Sequence, residues 1–132
     1  MNILSKISND IGIVGLKSGY KSKLTFEERC EESSRILTKY PDRIPIICEK
    51  NPKSKETPDI DKTKYLVPFD LTIGQFIYVI RKRLSLSGDK ALFFFINGLI
   101  PPSSALLTDV YHNHKDADGY LYIQYSLENT FG

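Results

Sequence analysis

The chain has 132 residues, 41% of them hydrophobic and 26% charged, with a formal net charge of +2. That length suits one domain with one core, and the composition is globular and not disordered. So small a net charge argues against a nucleic-acid partner, and no apolar run approaches the roughly 20 residues of a membrane helix.

Residues 1–23 are the least patterned stretch. Ile3, Ile7, Ile11 and Val14 have near-helical spacing, interrupted by Gly12 and Gly15. There is no basic-then-apolar signal peptide and no Met-Gly start for myristoylation. The expectation is a mobile arm, or else a short amphipathic contact with a membrane or partner.

From Thr25 the signals sharpen. Thr25 and Glu28 have capping-box spacing, and Phe26, Cys30, Ser33, Leu37 and Tyr40 recur on one helical face, with Ile36 on its border. Pro41 stops that helix. "RIPIICEK", residues 43–50, is a strand with Ile44, Ile46 and Cys48 on one side and Pro45 and Ile47 on the other. Pro45 lacks an N–H, so pairing should be irregular there. A polar loop follows, then a short strand, "KYLVP", at 64–68. Thr72 and Gln75 form a second capping box, and Ile73, Phe76, Ile77, Ile80 and Leu84 mark the core face of a helix. Asn97-Gly98 joins "LFFFI" to "LIPP" as a type I′ hairpin. A short helix should then turn Leu106, Leu107, Val110 and Tyr111 inward, and "YLYIQY" at 120–125 is the last strand.

This order predicts an α+β chain with a mixed sheet, the β-grasp or ubiquitin-like fold, carrying an N-terminal helical extension. The division is an arm at 1–23, the domain at 24–125 and a flexible tail at 126–132.

No catalytic constellation emerges. His112 and His114, two apart on a helix, point away from one another and share no metal. Asp116, Asp118 and Gly119 resemble a calcium loop, but that register puts Tyr125 where the bidentate Glu belongs. Glu27, Glu28, Glu31 and Glu32 read as a solvated helix flank. Cys30 and Cys48 form no metal or redox motif and read as small buried hydrophobes. The expectation is therefore a protein that is not an enzyme and needs no metal or other cofactor.

Several blocks, "FEER", "RIPIICEK", "IDKTKYLVPFDLTIGQFIYVIRKRL", "PPSSALLTDVYHNHKDADGYLYIQYS" and "ENTFG", occur together in order. From about Tyr20 to Gly132 the chain resembles the autophagy ubiquitin-like modifiers, the family of GABARAP and microtubule-associated protein light chain 3. The resemblance implies that Gly132 is joined to phosphatidylethanolamine. Activating and conjugating enzymes would carry out that step, and a deconjugating cysteine protease would reverse it. It implies a cytoplasmic protein, monomeric in solution, that moves to autophagosome and vesicle membranes once lipidated. It also implies cargo receptors bound through aromatic-x-x-aliphatic motifs that add as a strand to the edge at 64–68.

Carried over residue by residue, the resemblance puts the aromatic pocket at Glu32, Ile36, Pro45, Ile47, Lys64, Leu66 and Tyr120. It puts the aliphatic pocket at Tyr65, Val67, Pro68, Leu71, Phe76 and Val79. Arg43, Lys62 and Arg83, with Lys64, would meet acidic residues beside the motif. Phe93 and Phe95 match a second docking surface. Thr63 departs from a position usually basic, and Tyr120 from one usually phenylalanine. The rival readings are an unconjugated β-grasp adaptor for peptides, microtubules or trafficking, and a modifier attached to protein lysines.

Overall fold

The computed structural model describes residues 19–128. Its elements are α1 (Gly19–Lys23), α2 (Phe26–Lys39), β1 (Arg43–Lys50), β2 (Lys64–Pro68), α3 (Ile73–Leu84), β3 (Phe93–Phe95), α4 (Leu107–His114) and β4 (Leu121–Ser126). The sheet order is β2-β1-β4-β3. β1 and β4 are parallel neighbours, and the two outer pairs are antiparallel. This is the mixed β-grasp sheet, with β2 at one edge and β3 at the other.

Strand alternation sorts the side chains onto two faces. One face carries Ile44, Ile46, Cys48, Tyr65, Val67, Phe94, Leu121, Ile123 and Tyr125. Ile73, Phe76 and Ile80 of α3 close over it, each 0% exposed. Both capping boxes form, at Thr25 with Glu28 and at Thr72 with Gln75. Burying three such side chains contributes several kcal/mol, at about 1.5–3 kcal/mol each.

The opposite face is smaller. Tyr20, Ile47 and Tyr120 form its buried centre, with Leu24, Ile36 and Tyr122 against them. Here α1 and α2 lie across the sheet, and the helix face differs in part from the one expected: Ser33 is buried as expected, but Arg29 takes the place of Phe26 and Tyr40. The buried residues of α2 are Arg29 and Ser33, whereas Phe26 and Tyr40 are exposed. Arg29 Nε pairs with Asp118 Oδ2 at 2.8 Å, and its Nη1 donates to the carbonyls of Lys21 and Leu24. Ser33 Oγ donates to the Asp118 carbonyl at 2.5 Å. A polar contact, not an apolar stripe, docks α2. Cys30 is correspondingly only half-buried, while Cys48 is buried.

Other expectations need correction. Residues 19–23 are not part of a loose arm: they form α1, and Tyr20 is buried. Pro45 does not disturb pairing, since it stands opposite Leu66 in an unbroken register. The Cys48 amide donates toward the β2 side, to Thr63, so by alternation the Pro45 nitrogen faces β4. The β4 register begins only at Ile46, so no ladder bond is lost there. Asn97 and Gly98 have φ 51° and 78°, both positive as a type I′ turn requires. Its second arm nevertheless ends after the single Ile96–Leu99 bridge, leaving four strands and an exposed Leu99 and Ile100. Leu106 caps α4 and is exposed, so only Leu107, Val110 and Tyr111 turn inward. Ser126, expected to start a free tail, closes β4 and is 2% exposed.

Candidate functional site

Among the described residues, β2 is an edge of the sheet, and only its β1 side is paired. Both sets of pocket residues converge on it. Lys64 and Leu66 point to the small-core face beside α2, and Tyr65 and Val67 point to the α3 face.

On the α2 side the floor is Pro45, Ile47 and Tyr120, all buried, and the half-buried rim is Glu32, Ile36, Lys64 and Leu66. Tyr20, which the sequence reading did not single out, joins them. Its ring meets the Tyr120 ring edge-on at 5.4 Å, an arrangement worth about 0.5–1.5 kcal/mol beyond burial. The hydroxyls of Tyr20 and Tyr120 both donate to Glu32 Oε1, and Lys64 Nζ reaches the same oxygen at 2.7 Å. Burial alone would raise the Glu32 pKa, but these three donors outweigh it and hold the carboxyl at about 2. Burial likewise works against the Lys64 ammonium, and the bond to Glu32 reverses that, so its pKa rises. Glu32 is thus a fixed anion in a network, unlike its exposed neighbours Glu27, Glu28 and Glu31. Tyr20 went unnoticed because it is a lone aromatic in a polar stretch, without periodic partners.

On the α3 side Tyr65, Val67 and Phe76 are buried, Leu71 is half-buried and Val79 is exposed, whereas Pro68, exposed at the end of β2, falls by strand alternation on the face of Lys64 and Leu66. The Tyr65 and Phe76 rings meet at 5.4 Å in a T-shape. Phe69, 49% exposed directly after Pro68, extends this apolar rim. Both candidate pockets therefore have buried floors and partly exposed rims.

The basic residues differ in availability. Arg43 is exposed, and its Nη1 approaches the Leu66 carbonyl at 3.4 Å. Lys62 is exposed over the Tyr65 ring, 5.3 Å from its centre. Arg83 pairs with Asp61 at 2.9 Å, so an incoming carboxylate there would compete with Asp61. Phe93 is half-buried and Phe95 is 3% exposed, which leaves Phe95 no open surface in this arrangement. Gly132 lies outside the described residues. Among the described residues, no cluster of three or more His, Cys, Asp or Glu could hold a metal. Nor is any helix among them long and apolar enough to cross a membrane.

A family model described as "Autophagy protein Atg8 ubiquitin like" matches residues 28–132. The chain is 57% identical over 117 residues to autophagy-related protein 8 of Kluyveromyces marxianus, covering 89% of this chain and 94% of that one. It is 57% identical over 116 residues to autophagy-related protein 8a of Arabidopsis thaliana, covering 88% and 94%. The crystal structure of Trypanosoma brucei ATG8 superposes with a TM-score of 0.81 at 46% identity, covering 88% of this chain and 99% of that one.

Proposed function

The chain belongs to the Atg8 family of ubiquitin-like autophagy proteins, and from that premise we propose a membrane-conjugated modifier that recruits partners through its β2 edge. In this reading Gly132 is the conjugated residue. Its carboxylate displaces pyrophosphate from ATP on an activating enzyme, passes to a cysteine thiol with loss of AMP, and is released as an amide on the amine of phosphatidylethanolamine. With no Cβ, a glycine can enter a narrow channel and adopt dihedrals other residues avoid. The enzymes supply the catalysis, this chain being their substrate. The lipid's two acyl chains suffice as a stable anchor, on autophagosome and vesicle membranes.

One observation carries the recruiting role: the two candidate pocket sets flank opposite faces of an edge strand that, among the described residues, pairs on one side only. A peptide added to that edge is extended, and successive side chains alternate between faces. An aromatic residue and an aliphatic residue three positions later therefore point to opposite faces, one toward Leu66 and Ile36, the other toward Val67 and Leu71. Spacing of two would put both on one face. The exposed Arg43 and Lys62 supply positive charge for acidic flanks, which favours association rate more than final affinity.

Fluorescence titration with aromatic-x-x-aliphatic and aromatic-x-aliphatic peptides of equal composition tests the recruiting role. The first should bind at least about tenfold more tightly, the cost of one unfilled apolar pocket. Equal affinity would remove the two-face reading. Mass spectrometry of the C-terminal fragment from cells tests conjugation. A phosphatidylethanolamine amide on Gly132 supports it, whereas a branched peptide on a lysine, or a free acid throughout, overturns it.

A further inference from the structure

The loop between β1 and β2 does more than connect them. It carries Asn51, Ser54 and Thr57, all buried although most of their neighbours are exposed, and it grips the end of β4. Thr57 Oγ1 accepts the Leu127 amide at 2.9 Å. Ser126 Oγ accepts the Glu128 amide at 2.9 Å. Ser54 Oγ lies within hydrogen-bond reach of Thr57 Oγ1, of Ser126 Oγ at 3.2 Å and of Glu128 Oε1 at 2.9 Å.

The protons in this cluster can be assigned. A carboxylate only accepts, so Ser54 donates its single hydroxyl proton to Glu128. Ser54 Oγ must then be the acceptor for both other hydroxyls, and Thr57 and Ser126 are the donors. Every hydroxyl is used once as donor and at least once as acceptor. The Thr57 proton is the one that closes the loop onto Ser54.

Thr57 is followed by Pro58, and this is the one Ser/Thr-Pro dipeptide in the chain. Such a dipeptide is what a proline-directed kinase reads. The segment is free of helix and strand from Asn51 to Thr63. Lys55, Glu56, Pro58 and Asp59, on both sides of the threonine, are exposed.

We propose that Thr57 is a phosphorylation site whose modification unlatches the C-terminal segment from the loop. The γ-phosphoryl group of ATP transfers to Thr57 Oγ1, the hydroxyl proton is lost to the kinase's base, and ADP leaves. The ester oxygen then has no proton to give Ser54. The phosphate adds a charge of about −1.5 to −2 to a cluster that already holds the Glu128 carboxylate through Ser54, and like charges repel. Latched and phosphorylated states are mutually exclusive, so modification traps the open loop. Exposed Lys53 and Lys55 stand close by in sequence to pair with the phosphate once it is out. The consequence for conjugation at Gly132 rests on the reading above. The latch does not, because it is measured without any conjugating enzyme.

The test uses the full chain, a purified proline-directed kinase of the cyclin-dependent type, and ATP with magnesium. Fragment mass spectrometry locates the phosphate, and amide hydrogen exchange is followed at Leu127 and Glu128. One phosphate at Thr57 is expected, with both amides exchanging about tenfold faster or more, while Ile46 and Ile123 stay protected. Thr57→Val should take no phosphate and should by itself speed Leu127 exchange several-fold, the loss of one hydrogen bond. No phosphate at Thr57 in the folded chain would overturn the site. Phosphate at Thr57 with unchanged Leu127 exchange would overturn the latch.

Discussion

Replacing Glu32 by Gln removes one charge and keeps the shape of the side chain. In the wild type, Glu32 Oε1 accepts from Lys64, Tyr120 and Tyr20, and its pKa lies at about 2 against an ordinary 4.5. A depression of that size corresponds to roughly 3 kcal/mol of folded-state preference for the anion. The side chain is 27% exposed, and solvent screening reduces the usable part to about 2 kcal/mol. The sign follows from the depressed pKa. This stabilisation is fully present above pH 4.5 and is lost as pH falls from 4.5 toward 2. Glu32→Gln never has it. Urea unfolding of both proteins at steps between pH 7 and pH 2 should therefore give a gap of about 2 kcal/mol that is flat above pH 5. Below that the gap closes as the wild-type carboxyl protonates. A gap that stays constant down to pH 2 would refute the reasoning, because the missing group would not be the titrating one.

Three further outcomes are expected. Gly119→Ala places a Cβ 2.4 Å from Ser33 Oγ at φ +93°, and should cost about 1–3 kcal/mol. Differential scanning fluorimetry should find a fall of several degrees, part of which Ser33→Ala restores. Arg29→Met leaves Asp118, whose side chain is 0% exposed, as a buried charge without its ion-pair partner. The expected loss is about 3–5 kcal/mol in urea unfolding, and near-wild-type stability would remove the ion pair from the docking of α2. Leu66→Asp puts a carboxylate on the half-buried rim of the aromatic pocket. It should weaken an aromatic-x-x-aliphatic peptide by about tenfold or more with little change in Tm, and unaltered titration curves would dismiss the pocket.

The large core was legible because apolar spacing is a direct record of burial. Ile73, Phe76 and Ile80 could be placed on one helix face from their intervals alone, and Asn97-Gly98 could be placed by its need for two positive φ angles. The small core was not legible in the same way. Spacing did place Ser33 on the buried face, but the helix also buries Arg29, and a polar residue shows no burial preference until its partner is known. Those partners, the carboxylate and the backbone carbonyl of Asp118, lie more than 80 residues away. Spacing pointed instead to Phe26 and Tyr40, which are exposed. Pro45 misled for a related reason. A missing donor disrupts a strand only where a ladder needs it, and which edge the nitrogen faces depends on when β4 joins. The second hairpin arm was over-read because apolar character alone does not pair a strand, and Leu99 has one bridge and no continuation.

That division also decides which residues can report on binding. The floor of the candidate aromatic pocket shares Ile47 and Tyr120 with the small core. Ile47 and Tyr120 are both 0% exposed, and Tyr120 further holds Glu32 and Tyr20 in place. Truncating either opens a cavity under α1 and α2, a change that costs about 2–5 kcal/mol whether or not a peptide is present. Weaker binding by such a variant would be equally well explained by α2 losing its seat. Leu66 differs because it stands half-buried on a strand that, among the described residues, pairs on one side only. Its apolar surface is only partly withdrawn from water by folding, so what remains is what a ligand can cover. In the proposed reading, recognition is therefore carried by the rim, with Leu66, Ile36 and Lys64 on one face and Leu71 and Val79 on the other.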